Sequence, residues 1–118
     1  MSLVKTQAEF LIHVTQLLAK AYELEFIVTG GELYRTVEQQ KLYIQQGRSK
    51  TMNSKHLTRL AIDLNFFKTQ SDGSLSLTYD KKELQQLGNY WESLHPKNKW
   101  GGNWESFKDT PHFERAEG

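Results

Sequence analysis

The chain has 118 residues, a formal net charge of +1 and no cysteine. This length suits one hydrophobic core, so we expect a single domain over residues 1–118. The balance of 15 basic against 14 acidic residues gives no general electrostatic attraction to nucleic acid, and no stretch approaches the roughly 20 apolar residues of a membrane span. The lack of cysteine excludes disulfides, thiolate metal sites and a Cys nucleophile, so any metal must be held by His and carboxylate side chains.

The first part of the chain predicts a helix, a strand and a second helix. Thr6 with Glu9 fits a capping box at the start of the first helix, whose apolar residues recur at helical spacing: Phe10, Val14, Leu17, Leu18 and Ala21. A short apolar run over residues 25–29 predicts a strand. A second capping box over residues 36–39 begins another helix, which is expected to end at Gly47.

The second part predicts a loop, two strands, a third helix and a final strand. Residues 48–58 lack periodicity and indicate a surface loop. Residues 60–66 alternate between apolar and polar side chains, which predicts a strand with Asp63 on the face away from the apolar layer. A turn over residues 71–74 leads to another strand, and Asp80 begins a helix with an apolar stripe. With a Gly-rich aromatic loop and a short strand in the tail, the fold class is α+β, a small antiparallel sheet flanked by helices.

Two His and one Asp give the chain a candidate metal site. Asp63 follows His56 by seven residues, and His112 lies far downstream with a rigid Pro directly before it. Two His and one Asp around zinc leave the fourth tetrahedral position open for water, which is the condition for catalysis. Asp109 is a spare carboxylate that can act as the base. From the residues alone, the exposed face of an ordinary antiparallel sheet explains Asp63 equally well.

Several of these residues lie in a pattern that resembles a known family. Ser-x-His-x-x-x-x-Ala-x-Asp at residues 54–63, followed by Asp-x-Pro-His-Phe at residues 109–113, resembles the zinc peptidases of the D-alanyl-D-alanine carboxypeptidase and L-alanyl-D-glutamate peptidase family, which cut peptidoglycan stem peptides. Residues 34–47 are similar to the family's Arg-Thr, Gln and Leu-Tyr-x-x-Gly segment. Trp-Gly-Gly-Asn-Trp at residues 100–104, with Phe107, resembles the Trp-Gly-Gly-Asp-Trp segment of the L-alanyl-D-glutamate branch.

The resemblance implies a Hedgehog/DD-peptidase-like fold, one Zn²⁺ per chain and a particular set of site residues. His56, Asp63 and His112 fall on the positions of the zinc ligands. Asp109 falls on the catalytic carboxylate, which many members fill with Glu. Two residues fall on substrate-binding positions: Arg35 and Ser54. Without the resemblance, a surface residue at a helix start and a turn residue explain these two equally well.

One residue departs from the family pattern, which usually has Gly four residues before the Asp. This chain has Arg59 there. If the position requires a positive φ, Arg59 is strained by roughly 1–2 kcal/mol. If it requires only close packing, the side chain can point into solvent or extend over the substrate groove. The departure bears on substrate fit more than on metal binding, because the ligands and the base are all in place.

We therefore expect a zinc metallopeptidase that hydrolyses peptidoglycan stem peptides, and the tail segment favours the L-alanyl-D-glutamate bond. The alternatives are a D-alanyl-D-alanine carboxypeptidase of the same family and a catalytically inert zinc-stabilised binding module on this fold. A nucleic-acid-binding domain that uses Lys50, Lys55 and Arg59 is disfavoured, because the basic residues are not concentrated.

The resemblance and the bulk properties also give expectations about partners and location. The expected partners are peptidoglycan stem peptides, with no nucleic acid, no membrane insertion and a monomeric chain. We expect neither a signal peptide nor a separate cell-wall-binding domain. We expect synthesis in the cytoplasm and action on peptidoglycan, which is typical of a phage or prophage lysis enzyme.

Overall fold

The computed structural model describes residues 2–49, 54–105 and 108–116, so the predictions at Lys50 and Phe107 fall outside the described residues. Three α-helices and five strands occur in these ranges. In chain order they are α1 (Leu3–Glu23), β1 (Phe26–Gly30), α2 (Val37–Gln45), β2 (Ala61–Thr69), β3 (Leu75–Thr78), α3 (Lys81–Ser93), β4 (Asn98–Trp100) and β5 (His112–Arg115). Two 3-10 turns accompany them, at Lys55–Thr58 and Gly101–Asn103. None of the described helices is long and apolar enough to cross a membrane.

The sheet is antiparallel throughout and is built around the long strand β2. Strand β1 pairs along one edge of β2, from Phe26 opposite Lys68 to Gly30 opposite Leu64. The other edge of β2 pairs with β5 near its start and with β3 near its end, and β4 adds to the outside of β5. The predicted α+β class with a small antiparallel sheet and flanking helices is therefore confirmed.

The hydrophobic core lies between the sheet and the helices α1 and α3. The apolar stripe of α1 is buried with that of α3, and both pack with β2, where Leu64 and Phe66 are 2% and 1% exposed. Each fully buried side chain of this size contributes about 1.5–3 kcal/mol. Alternation along β2 then places Asp63 on the face away from this core, as the sequence predicts.

Two of the predicted helix starts are correct and one is wrong. The Oγ1 atom of Thr36 accepts a hydrogen bond from the Gln39 backbone N–H (3.0 Å), which begins α2 as predicted. Asp80 caps α3 in the same way. Helix α1 begins earlier than predicted, because Ser2 is its N-cap and Thr6 lies inside the helix. The Thr6 hydroxyl donates to the Ser2 carbonyl oxygen (3.3 Å) and is not the cap.

Strand β4 was not predicted. It has only three residues, Asn98–Trp100, which is too short for a recognisable alternation. Its pairing with β5, Trp100 opposite Phe113, holds it in the sheet. The Trp100 indole N–H donates to the Thr110 carbonyl oxygen (2.8 Å). Strand β4 therefore fixes the chain segment that leads into His112.

Candidate metal centre and substrate cleft

Three separate elements bring His56, Asp63 and His112 together. His56 lies in the 3-10 turn Lys55–Thr58, just before β2. Asp63 lies in β2 and is directly opposite His112, the first residue of β5, in the antiparallel register. Because side chains opposite each other in a sheet point to the same face, the register places the second His beside the Asp. Residues 49 positions apart in sequence thus become neighbours.

The three side chains form a tight, mostly buried cluster. Asp63 Oδ1 lies 3.4 Å from His56 Nε2 and 3.4 Å from His112 Nδ1. One ligand atom of each residue lies within 4.8 Å of the others, and this is the one group in the described ranges that meets the geometry of a metal site. His56 is 1% exposed and His112 is 5% exposed. Such spacing allows a single ion to contact all three residues.

The other ring nitrogen of each histidine is held by a hydrogen bond. His56 Nδ1–H donates to the Leu33 carbonyl oxygen (3.0 Å), and His112 Nε2–H donates to Glu114 Oε1 (2.7 Å). These bonds fix the rings so that His56 Nε2 and His112 Nδ1 face Asp63. Carboxylates and backbone carbonyls in this role orient metal-ligating histidines. Glu114 was missed by the sequence reasoning, although alternation along β5 places it on the same face as His112.

Two buried polar atoms in the cluster lack a hydrogen-bond partner: His56 Nε2 and Asp63 Oδ1. Buried polar atoms normally have partners, so each such case requires an explanation. Two imidazole nitrogens and a carboxylate oxygen suit zinc, whose ligands in proteins are of these types. The donor set and the unpartnered atoms therefore fit a zinc ion.

Without a metal ion, the charges in the cluster stabilise one another. Burial raises the pKa of Asp63, but its contacts with His112 and His56 outweigh burial and hold that pKa far below its usual range. Burial lowers the pKa of His112, whereas its contacts with Asp63 and Glu114 raise it more, to about 9. At neutral pH the metal-free cluster thus combines a carboxylate with a protonated His112.

Asp109 lies next to this cluster, in the turn that precedes β5. Its carbonyl oxygen accepts from the His112 backbone N–H (3.1 Å), and its own N–H donates to the Gly101 carbonyl oxygen (3.0 Å). Burial raises the pKa of the Asp109 carboxyl; the charge on His112 opposes that change and the charge on Asp63 adds to it. The structure therefore places a carboxylate of increased basicity beside the three candidate ligands.

The Trp-Gly-Gly-Asn-Trp segment packs directly against this turn. A Cβ atom on Gly101 would lie 2.3 Å from the Asp109 carbonyl oxygen, so only glycine fits there. Trp100 is fully buried, and the Trp104 ring lies 5.0 Å from the His112 ring, centroid to centroid. The segment thus supports both Asp109 and His112.

A cleft of about 340 Å³ opens at the cluster. Its lining includes three of the candidate site residues together with three further side chains from the α2 region: Arg35, Asp63 and Asp109 with Glu32, Tyr43 and Arg48. Tyr43 donates from its hydroxyl to Glu32 Oε2 (2.8 Å). The sequence reasoning did not identify Glu32, Tyr43 or Arg48 as cleft residues.

The two predicted substrate-binding residues interact with each other. Arg35 Nη1 donates to Ser54 Oγ (3.3 Å), and Ser54 Oγ also accepts from the His56 backbone N–H (3.3 Å) as the N-cap of its 3-10 turn. Arg35 lines the cleft, whereas Ser54 is not among its lining residues. Both residues therefore help to position the turn that carries His56.

Arg59 occupies the position where the family usually has Gly, and its backbone is left-handed. This is the first of the two possibilities considered for that position, a requirement for positive φ. Its φ and ψ are 57° and 34°, at the end of the turn that carries His56. Its guanidinium carbon lies 4.2 Å from the centroid of the Tyr34 ring. The strained position therefore also carries a cation–π contact.

Comparison with known proteins identifies the family. The model of the D-alanyl-D-alanine carboxypeptidase family matches residues 47–115. An L-alanyl-D-glutamate peptidase from Listeria phage A118 is 35% identical over 85 residues, which is 70% of this chain but 28% of that relative's length. The solved structure of the L-Ala D-Glu endopeptidase ChiX from Serratia marcescens shares the fold, with a TM-score of 0.63 and 24% identity over 86% of this chain and 76% of that one. As its sequence motifs indicate, the chain belongs to the D-alanyl-D-alanine carboxypeptidase family, which includes the L-alanyl-D-glutamate peptidases.

Proposed function

We propose that the protein is a zinc-dependent peptidase that hydrolyses peptidoglycan stem peptides at the L-alanyl-D-glutamate bond. The observation that carries this proposal is the convergence of His56, Asp63 and His112 at a cleft that also contains Asp109. Family membership supports the peptidase activity. The name of the phage relative supports the choice of bond.

His56, Asp63 and His112 would hold the zinc ion through one atom each. When bound, zinc supplies Lewis-acid chemistry, which polarises a carbonyl group and makes water a stronger nucleophile at neutral pH. The Leu33 carbonyl and the Glu114 carboxylate keep the two imidazole rings turned towards the site. These two residues position the ligands and do not contact substrate.

Asp109 is proposed as the general base and then the general acid. It accepts a proton from the attacking water and passes it to the amine that leaves when the peptide bond breaks. In the metal-free protein, burial raises the pKa of its carboxyl above that of an exposed aspartate. The same side chain can perform both transfers because it lines the cleft beside the proposed zinc ligands.

A D-alanyl-D-alanine carboxypeptidase is the second candidate, because the matching family model carries that description. The two activities leave different products on purified peptidoglycan. Cleavage at L-alanyl-D-glutamate gives stem-peptide fragments that begin with D-glutamate, whereas carboxypeptidase activity shortens the stem by its terminal D-alanine. Mass analysis of the soluble fragments after digestion with the zinc-loaded protein distinguishes the two.

Three variants test the assignment of the site. Asp109→Ala should keep about one zinc per chain and lose most activity, whereas His56→Ala should lose both. Asp72→Ala is the matched control, because Asp72 is an exposed aspartate in the β2–β3 turn and should keep both properties. Full activity in Asp109→Ala would refute the base, and unchanged zinc content in His56→Ala would refute the metal site. A zinc-loaded protein that releases no fragments would instead be an inert binding module.

A further inference from the structure

Two arginines line the cleft, Arg35 and Arg48, and most N–H donors of Arg35 already have partners within the protein. Arg35 is 10% exposed at its side chain and contacts Glu32 through both Nε and Nη2. Its Nη1 donates to Gln40 Oε1 (2.7 Å) and to Ser54 Oγ (3.3 Å). A guanidinium has five N–H donors, so four of those on Arg35 are engaged within the protein. Arg35 therefore lines the cleft but has few free N–H donors with which to bind a ligand.

Arg48 has the opposite environment. It is exposed, and its guanidinium carbon lies 4.4 Å from the centroid of the Tyr43 ring. In the part of the chain that the structure describes, the Arg48 guanidinium makes neither a hydrogen bond nor an ion pair. Stacking on an aromatic ring leaves the in-plane N–H donors free. All five donors of Arg48 are thus available at the cleft.

The backbone holds Arg48 in place from both sides. Gly47 has a φ of 74° and ends α2, and the Arg48 N–H then donates back to the Tyr43 carbonyl oxygen (2.8 Å). This is the Schellman arrangement, which reverses the chain at a helix end and brings Arg48 over Tyr43. The next residue, Ser49, accepts a hydrogen bond from Gln40 Nε2 (2.8 Å). Arg48 is therefore preorganised at the cleft mouth.

The charges around Arg48 favour an anionic ligand. The Glu32 carboxylate is already paired with Arg35 and accepts from the Tyr43 hydroxyl. The two other carboxylates of the cleft, Asp63 and Asp109, belong to the proposed metal site and base. Arg48 is thus the cation of the cleft with no internal counter-charge among the described residues. A planar guanidinium with free donors is suited to a carboxylate, which it can bind through two parallel hydrogen bonds.

We propose that Arg48 is a specificity-determining residue that binds a carboxylate of the stem peptide. The inference rests on the proposed function and names the group recognised: the free carboxylate that the D-glutamyl residue keeps when the peptide continues through its other carboxyl group. Arg48 contacts substrate but takes no part in proton transfer. The acidic D-glutamyl peptide is therefore preferred to the same peptide with that carboxylate amidated.

The test compares two proteins with two substrates. Wild type and Arg48→Gln, both zinc-loaded, are assayed with the tripeptide L-Ala-γ-D-Glu-L-Lys and with its D-isoglutamine counterpart, in which the free carboxylate is an amide. Wild type should prefer the acid by roughly 10- to 100-fold in kcat/KM, because a hydrogen bond to a charged group is lost with the amide. Arg48→Gln should lose that preference, because its kcat/KM should fall for the acid and stay unchanged for the amide. Arg48→Lys should retain part of it, since the charge remains without the planar fork.

Equilibrium binding provides a second measurement that does not depend on turnover. The same two peptides are titrated into the zinc-loaded proteins, each also carrying Asp109→Ala to prevent cleavage, and binding is followed by calorimetry. Lys41→Gln is the control, because it removes an exposed positive charge from α2 outside the cleft lining. Lys41→Gln should bind both peptides as wild type does. Equal affinity of wild type and Arg48→Gln for the acid would overturn the inference, even if the enzyme cleaves it. If neither peptide is cleaved, the proposed function fails, but the binding comparison still decides the role of Arg48.

Discussion

Replacement of Arg59 separates two energetic contributions at the turn between His56 and β2. Arg59 combines a left-handed backbone, with a φ of 57°, and a guanidinium stacked on Tyr34 at 4.2 Å. The backbone conformation destabilises the protein by about 1–2 kcal/mol for a residue with a Cβ atom. The exposed cation–π contact stabilises it by about 0.5–1 kcal/mol. Glycine removes both contributions, whereas alanine removes only the contact.

We expect Arg59→Ala to lower the free energy of unfolding by about 0.5–1 kcal/mol, because only the Tyr34 contact is lost. Arg59→Gly should be more stable than Arg59→Ala by about 0.5–1 kcal/mol, since relief of the strain exceeds the roughly 0.4–1 kcal/mol by which glycine's freedom stabilises the unfolded chain. Arg59→Gly is therefore expected to be close to wild type in stability. At this position the contact of the Arg59 side chain with Tyr34 offsets part of the strain in the Arg59 backbone.

Urea unfolding of the metal-free proteins measures these differences directly. Glu25 is the matched control, because it is exposed, has a φ of 69° and makes no ring contact. Glu25→Gly should therefore stabilise the protein relative to wild type, by about 0.5–1 kcal/mol. If Arg59→Ala proves as stable as Arg59→Gly, the backbone strain at this turn is smaller than about 1–2 kcal/mol.

Three further predictions concern the metal centre and its support. Glu114→Gln should weaken zinc binding by about 10- to 100-fold, measured by competition with a chelator, because it loses the carboxylate that orients His112. In the metal-free protein, the pKa of His112 rises from its ordinary 6.5 to about 9 on folding, so the contribution of His112 to the free energy of unfolding should be fully present just below pH 6.5 and lost as pH rises through 9; a flat profile between about pH 6 and 9 in urea titrations would contradict this. Gly101→Ala should destabilise the protein by about 1–3 kcal/mol and impair catalysis, because its Cβ meets the Asp109 carbonyl oxygen. Gly30→Ala, with open space at the new Cβ, is the control for thermal unfolding and activity.

Features of the fold that depend on local patterns could be predicted from the sequence. The helical spacing in α1 and α3 and the alternation in β2 follow from which face each element buries, and this information is contained in a short stretch of chain. The start of α1 illustrates the limit, because Ser2 and Thr6 are both suitable caps and the local pattern does not decide between them. Strand β4 exists only through its pairing with β5. Such a pairing cannot be read from three residues.

The same limit applies to the candidate site. The motif spacing and the family resemblance single out His56, Asp63, Asp109 and His112, whose side chains do lie together. The sequence did not indicate which arginine of the cleft is free, because this depends on the partners that folding gives to each of them. Arg35 is the motif residue but is engaged by Glu32, Gln40 and Ser54, whereas Arg48 is left without an internal counter-charge.

The contacts around Asp63 explain how the fold can hold this site before a metal binds. A buried carboxylate is strongly destabilised unless charge or hydrogen bonds compensate for its desolvation. Protonated His112 supplies that compensation in the metal-free protein, and Glu114 in turn stabilises the positive charge on His112. A zinc ion held by His56, Asp63 and His112 would supply this compensation in place of the His112 proton. Zinc binding would therefore exchange one cation for another within a cluster that is already assembled.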